Sequence, residues 1–263
     1  MPVISFYTQK GGTGKSTVCC ETAYILSQRK KARVLVIDLD AQCNTTKHLC
    51  GYIPEKGIYD LIIDEAEEQE FHECLTPGKN FWGKLVVLGS SKRLDTAVPI
   101  LQNRMNRDYV LKSIIDKLKG YFEYILIDYP PQLNLLTTNG LAASDGYILI
   151  QQPEEWSVDG AKTITDLADK VRKNLNPKLK CFGVLVNLVK KDNSLYVKTM
   201  IKDIEEEWQG KVFNSKIMDT VVVGEAKKLK KPVVLYSPAH KVTSQLIGFV
   251  KELTEKIGKS DVK

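Results

Sequence analysis

Seven short and nearly unbroken apolar runs punctuate this chain, at residues 3–7, 33–37, 85–88, 124–127, 146–150, 182–186 and 233–236. Runs without the alternation of a half-exposed strand predict strands covered on both faces, the condition of a parallel sheet. Between them lie helical stretches at 16–28, 108–118, 157–174, 195–208 and 242–257, the last four each with an apolar stripe. Strands alternating with helices predict an α/β sandwich of three layers, with a mostly parallel central sheet and helices on both faces. In such sheets ligands collect beyond the carboxyl ends of the strands, so chemistry is expected in the residues that follow each run. An acidic stretch, 64–73, carries six carboxylates and no lysine or arginine. It reads as a solvated helix face or surface excursion, with partner docking as the lesser reading.

The first run, Val3-Ile4-Ser5-Phe6-Tyr7, leads into Gln9-Lys10-Gly11-Gly12-Thr13-Gly14-Lys15-Ser16-Thr17 and then a helical stretch. Strand, glycine loop and helix start in that order form a cradle for nucleotide phosphates. Gly11, Gly12 and Gly14 permit a turn whose N–H groups face inward, Lys15 adds a point charge for the terminal phosphates, and Ser16 can offer its hydroxyl to Mg²⁺. The competing reading is a glycine-rich turn with incidental lysines. Two other strand ends supply carboxylates: Asp38-Leu39-Asp40-Ala41-Gln42-Cys43-Asn44-Thr45-Thr46 and Asp128-Tyr129-Pro130-Pro131. A carboxylate in that position can hold a metal shell or orient a water against a phosphate, although Asp38 alone would also suit an ordinary turn. His48, His72 and His240 are scattered and read as surface or loop residues.

An ordinary phosphate loop has glycine at position 9. Here Lys10 stands directly before the paired glycines, and the segment resembles the deviant loop of the ParA/MinD superfamily of partitioning and positioning ATPases. Asp38, Asp40, Gln42, Asn44 and Thr46 match that family's D-x-D-P-Q-G-N-x-T segment, with Ala41 and Cys43 replacing proline and glycine. Residues 128–131 are similar to its D-T-P-P, with Tyr129 replacing threonine, and 133–145 and 152–160 follow the family's order. The resemblance runs from Val3 to about Ile257. It implies a P-loop NTPase-like fold filling 1–263 as one domain, without an N-terminal helix-turn-helix domain, and ATP and Mg²⁺ as cofactors. By the same resemblance Lys10, Gly11, Gly12, Thr13, Gly14, Lys15, Ser16 and Thr17 hold the nucleotide, and Ser16, Asp128 and Asp40 serve the metal. The implied catalytic residues are Asp40, for the water, Lys15, and Lys10, which would complete the neighbouring subunit's site in a face-to-face dimer. Ile217-Met218-Asp219-Thr220-Val221 aligns with a family segment near I-P-R-N-V. Met218 and Thr220 are therefore expected at the adenine, while Asp219 has the wrong charge for the DNA contact made there.

Composition adjusts this picture further. With 263 residues and 43% hydrophobic content the chain can bury one substantial core. Its 38 basic and 32 acidic residues give +6, which permits polyanion binding without requiring it. Between 216 and 241 six lysines face only Asp219 and Glu225. Lys227, Lys228, Lys230 and Lys231 of that stretch, with Lys190 and Lys191 after the late strand, are candidate contacts to a duplex backbone, against the alternative of a solvated lysine-rich surface. Cys19, Cys20, Cys43, Cys50, Cys74 and Cys181 form no C-x-x-C pair, which favours reduced cytosolic thiols over zinc or disulfides. No apolar stretch approaches the ~20 residues that cross a bilayer, and the polar-rich 258–263 makes a poor anchor, so no membrane partner is expected. Taken with these features, the resemblance implies a cytoplasmic, nucleoid-associated ATPase that dimerises on ATP and binds DNA non-specifically. It would drive partitioning or positioning of plasmid, chromosome or other cargo, with slow hydrolysis stimulated by a ParB-like partner. The alternative is a nucleotide-gated scaffold, or a MinD-like positioning ATPase with little turnover and no DNA binding.

Overall fold

Burial on both faces is what turns the apolar runs into a sheet. The computed structural model describes residues 1–8, 10–29, 31–63, 70–82, 84–154, 157–191 and 194–260. Within these residues the strands are β1 Val3–Tyr7, β2 Val34–Asp38, β3 Leu75–Pro77, β4 Leu85–Leu88, β5 Tyr124–Asp128, β6 Gly146–Gln151 and β7 Lys180–Val186. They lie in the order β3-β4-β2-β5-β1-β6-β7, parallel throughout except for the edge strand β3. The helices are α1 Lys15–Arg29, α2 Asn44–Cys50, α3 Ile58–Ile63, α4 Phe71–Cys74, α5 Ala97–Gln102, α6 Val110–Lys117, α7 Leu135–Ala143, α8 Ser157–Asn174, α9 Leu195–Glu207, α10 Val221–Lys228, α11 Val233–Tyr236 and α12 Lys241–Ser260.

Successive side chains of each strand enter opposite cores. Ile4, Phe6, Val34, Val36 and Leu126 pack with α1 and α12, whereas Val3, Tyr7, Leu35, Ile37, Ile125 and Ile127 pack with α6 and α7. Each such side chain, fully buried, contributes on the order of 2 kcal/mol, so polar residues on these strands need a reason. Ser5 has one. Its hydroxyl lies 2.5 Å from that of Tyr129 and 2.6 Å from that of Ser144, and Ser144 donates to the Gly140 carbonyl at 2.7 Å. Since Ser144 has spent its proton there, the chain of donors runs from Tyr129 through Ser5 to Ser144.

The sequence expectation fails at 233–236, which is the short helix α11 and not a strand. Four apolar residues are too few for periodicity to separate the two. Here Pro232 precedes the turn, and the Val233 N–H donates to the Glu21 carboxylate of α1 at 2.8 Å instead of to a sheet neighbour. His48 also departs from the surface reading, because it lies on α2 edge-on to Trp82 with ring centroids 5.0 Å apart. Burial, with Lys227 and Lys230 nearby, pulls its pKa down to about 4. Of the acidic stretch, 64–69 lie outside the described residues, while Glu70 and Glu73 pair with Lys56.

Candidate functional site

The strand order places three carboxyl ends side by side. β1 pairs with β5 and β5 with β2, so that Asp128 is in register with both Phe6 and Asp38. The glycine loop leaves β1 at this edge and closes onto α1 through the Val18 N–H to Gly14 carbonyl bond at 2.9 Å. Gly12 and Gly14 sit at φ 83° and 82°, the left-handed region that glycine enters without penalty. Gly14 has a second constraint, since a Cβ there would lie 2.5 Å from the Asn187 amide nitrogen. That amide donates to the Thr13 carbonyl at 2.6 Å, which ties the end of β7 to the loop. Asn187 was legible only as the end of a late strand, and its role as a clamp on the loop had no signal in the sequence.

Below the loop, Lys15 is buried and its ammonium is ion-paired with Asp128. The other Asp128 oxygen accepts from the Thr45 hydroxyl at 2.7 Å. Asp38 accepts from the Thr46 N–H at 2.9 Å, the Thr46 hydroxyl at 2.7 Å and the Asp40 N–H at 3.1 Å. Two consecutive threonines at the start of α2 therefore hold the two strand-end carboxylates. Burial first, and then the nearby Asp128, push the Asp38 carboxyl well above the usual carboxylate range, against its hydrogen bonds from Thr46 and Asp40. Lys15 is the only cation bonded to this buried pair among the described residues, so the pair as built favours added positive charge. Asp40 is buried at the rim, where one carboxylate oxygen takes the Gln42 N–H at 2.9 Å. Cys43 caps α2 at φ 55°, a conformation glycine would adopt more easily, and its thiol donates to the Ala41 carbonyl at 3.1 Å.

Residues 1–181 match the AAA domain family. Over 254 residues the chain is 30% identical to the sporulation initiation inhibitor protein Soj of Bacillus subtilis, a match that covers 95% of this chain and 97% of Soj. The chain belongs to the ParA/MinD superfamily of P-loop ATPases. It is also 28% identical to the chromosome partitioning protein ParA of Myxococcus xanthus, over 97% of this chain and 88% of that one. Among solved structures, the cobyrinic acid a,c-diamide synthase of Mycobacterium smegmatis with bound ADP and magnesium superposes with a TM-score of 0.83 at 25% identity, covering 98% of this chain and 95% of that chain.

Within this superfamily member the remaining predicted residues fall in distinct places. Ser16 and Thr17 lie on the first turn of α1, half-buried, and Gly11 is exposed on the loop. Lys10 is exposed and ion-paired with Glu154, which follows β6 of the same chain. Tyr129 is not at the loop surface: its ring is fully buried and turned under α7, with the hydroxyl in the Ser5 chain. Met218 bridges to Val189 beyond β7, and Thr220 caps α10, its hydroxyl accepting from the Val222 N–H at 3.4 Å. Both are therefore on the β7 side of the loop, near Asn187. Lys190 and Lys191 follow Val189 at that same end of α10, whereas Lys227, Lys228, Lys230 and Lys231 lie at its other end, against Trp82. The six lysines thus form two separate groups.

Proposed function

We propose that this protein is a ParA-like ATPase that binds ATP with Mg²⁺, dimerises face to face on it, holds duplex DNA without reading its sequence, and is driven through turnover by a partner protein. The observation that carries this reading is the convergence of Lys15, Asp38 and Asp128 beneath the glycine loop, with Asp40 and Lys10 on the rim. Two buried carboxylates served by one lysine suit a divalent cation, and the unpartnered Thr13 hydroxyl is a further polar group with capacity to spare. Bound ATP with Mg²⁺ supplies a phosphoanhydride bond whose developing charge is already partly neutralised.

The chain's own groups do the rest. The amides of Gly11, Gly12, Thr13 and Gly14, with Thr17, cradle phosphate, and Lys15 turns from Asp128 towards the phosphate oxygens. Ser16 and Asp128 would hold the metal, with Asp40 as a further carboxylate for it. The second Asp40 oxygen orients the attacking water and accepts its proton, and Lys10 leaves Glu154 to add positive charge to the neighbouring subunit's site. Met218 and Thr220 flank the adenine. The names of relatives in partitioning, and the local lysine excess, support DNA as the surface on which the dimer rests. Phosphate release measured with and without random duplex, alongside light scattering in ATP and in ADP, tests this. Dimers in ATP only, and turnover that rises on adding duplex and a ParB-like protein, are expected. ATP binding with no turnover under any condition would leave the scaffold reading in its place.

A further inference from the structure

Two lysines of 227–231, Lys230 and Lys231, are anchored rather than loose. Trp82, buried beneath them, donates its indole N–H to the Lys230 carbonyl at 2.9 Å, and the Lys230 ammonium donates to the Gly51 carbonyl at 3.3 Å. The Lys231 ammonium lies 4.7 Å from the centroid of the Phe81 ring. On the same surface, one residue beyond Gly51, the Lys79 ammonium lies 4.0 Å over the Tyr52 ring. Both rings are exposed, Tyr52 at 44% and Phe81 at 42%. No carboxylate among the described residues forms an ion pair with Lys79, Lys227, Lys228, Lys230 or Lys231. His48 registers the resulting field, since Lys227 and Lys230 add to burial in holding its ring neutral.

The physical consequence is pre-organisation. A free lysine side chain gives up much rotamer freedom when it meets a phosphate. A ring face fixes the stem and the ammonium while leaving N–H groups directed to solvent, so most of that loss has already occurred. Fixed ammoniums that no carboxylate among the described residues ion-pairs suit a polyanion whose charges are close and regular. Duplex DNA presents one charge per about 1.7 Å of axis. We propose that this face, the Tyr52–Lys79 and Phe81–Lys231 pairs with Lys227 and Lys230, is the surface that grips the phosphate backbone of duplex DNA. This rests on the duplex-binding reading above, and it locates the grip at the Trp82 end of α10 and not at Lys190 and Lys191.

Fluorescence anisotropy of a random 40-base-pair duplex, titrated with the full chain in ATP across a salt series, tests it. Lys79→Ala with Lys231→Ala is expected to weaken binding at least tenfold. It should also flatten the slope of log K against log salt by about 1.8, since each lost phosphate contact removes about 0.9. Tyr52→Ala with Phe81→Ala keeps every charge and is expected to weaken binding threefold or more, because the ammoniums are released. Lys227→Glu provides a second charge variant, and thermal melting checks that each variant is folded. Unchanged affinity in the folded lysine variants, or in the folded ring variant, overturns the proposal. So does a loss confined to Lys190→Ala with Lys191→Ala, or a loss of poly-glutamate binding with duplex binding intact, which would assign the face to an acidic protein segment. If the wild-type chain in ATP fails to bind duplex even at low salt, the duplex-binding reading falls as well. Wild-type binding that the variants leave unchanged removes this surface alone.

Discussion

Tyr129 shows how packing alone governs a side chain beside the candidate site. A residue of that size after Asp128 fits with its ring turned inward because Gly140 of α7 leaves it room: a Cβ there would lie 1.9 Å from the Tyr129 hydroxyl oxygen and 2.4 Å from the ring edge. Gly140→Ala is therefore expected to cost about 2–4 kcal/mol by overpacking, seen as a lowered midpoint in urea unfolding. Adding Tyr129→Thr should recover much of that loss, because the obstructing ring is gone. A Gly140→Ala midpoint equal to wild type would contradict the packing described. Lys15 raises a different issue, since its ammonium is bonded to Asp128 and in the proposed mechanism serves phosphate as well. Lys15→Ala is expected to reduce ATP affinity more than a hundredfold by isothermal calorimetry, while Asp40→Asn should keep affinity within a few-fold and lower phosphate release at least a hundredfold. Comparable turnover in Asp40→Asn and wild type would take the water-orienting role away from Asp40.

At the scale of elements, α1 is joined at one end to the phosphate loop and in its middle to α11. Glu21 makes the second joint: its carboxylate accepts from Val233, its other oxygen is buried without a partner, and burial raises its pKa from 4.5 to about 7 despite the N–H groups of Val233 and Val234. Well below pH 4.5 the acid is protonated in folded and unfolded chains alike, and there is no penalty. As pH rises from there to about 7 the unfolded chain releases a proton that the fold retains, so stability falls, and above about 7 the deficit is constant. Glu21→Gln removes the titration and keeps an acceptor for Val233. It should match wild type well below pH 4.5 and exceed it by about 3 kcal/mol at pH 8, measured by denaturant unfolding across pH. A pH-independent difference would refute the assignment. α2 is short but fixed at both ends, by Thr45 and Thr46 on the strand-end carboxylates and by the Gly51 N–H to Lys47 carbonyl bond at 3.1 Å. No apolar period marks it in the sequence, because its order comes from these polar contacts.

For the whole molecule the informative contact is the pairing of Lys10 with Glu154 in one chain. Both side chains are well exposed, and an exposed pair contributes at most about 1 kcal/mol, so a nucleotide in a second subunit can outcompete it. Lys10→Ala should bind ATP nearly as well as wild type yet dimerise at least tenfold more weakly in ATP, by analytical ultracentrifugation. Equal dimerisation would remove the shared-site arrangement. The parallel strands, the glycine loop with its leading lysine, and the carboxylates Asp38, Asp40 and Asp128 were all legible in the chain, because each is a local pattern of burial or backbone freedom spanning a few residues. What the tertiary structure alone decided are the partners. Asn187 reaches Thr13 across 174 positions, Thr45 reaches Asp128 across 83, and Glu21 reaches Val233 across 212. The Asn187 contact follows from β6 standing between β1 and β7, the Thr45 contact from β2 pairing with β5, and the Glu21 contact from α11 packing on α1, an arrangement that hydrophobic period does not encode; desolvation likewise acts on a carboxylate only once a fold has enclosed it.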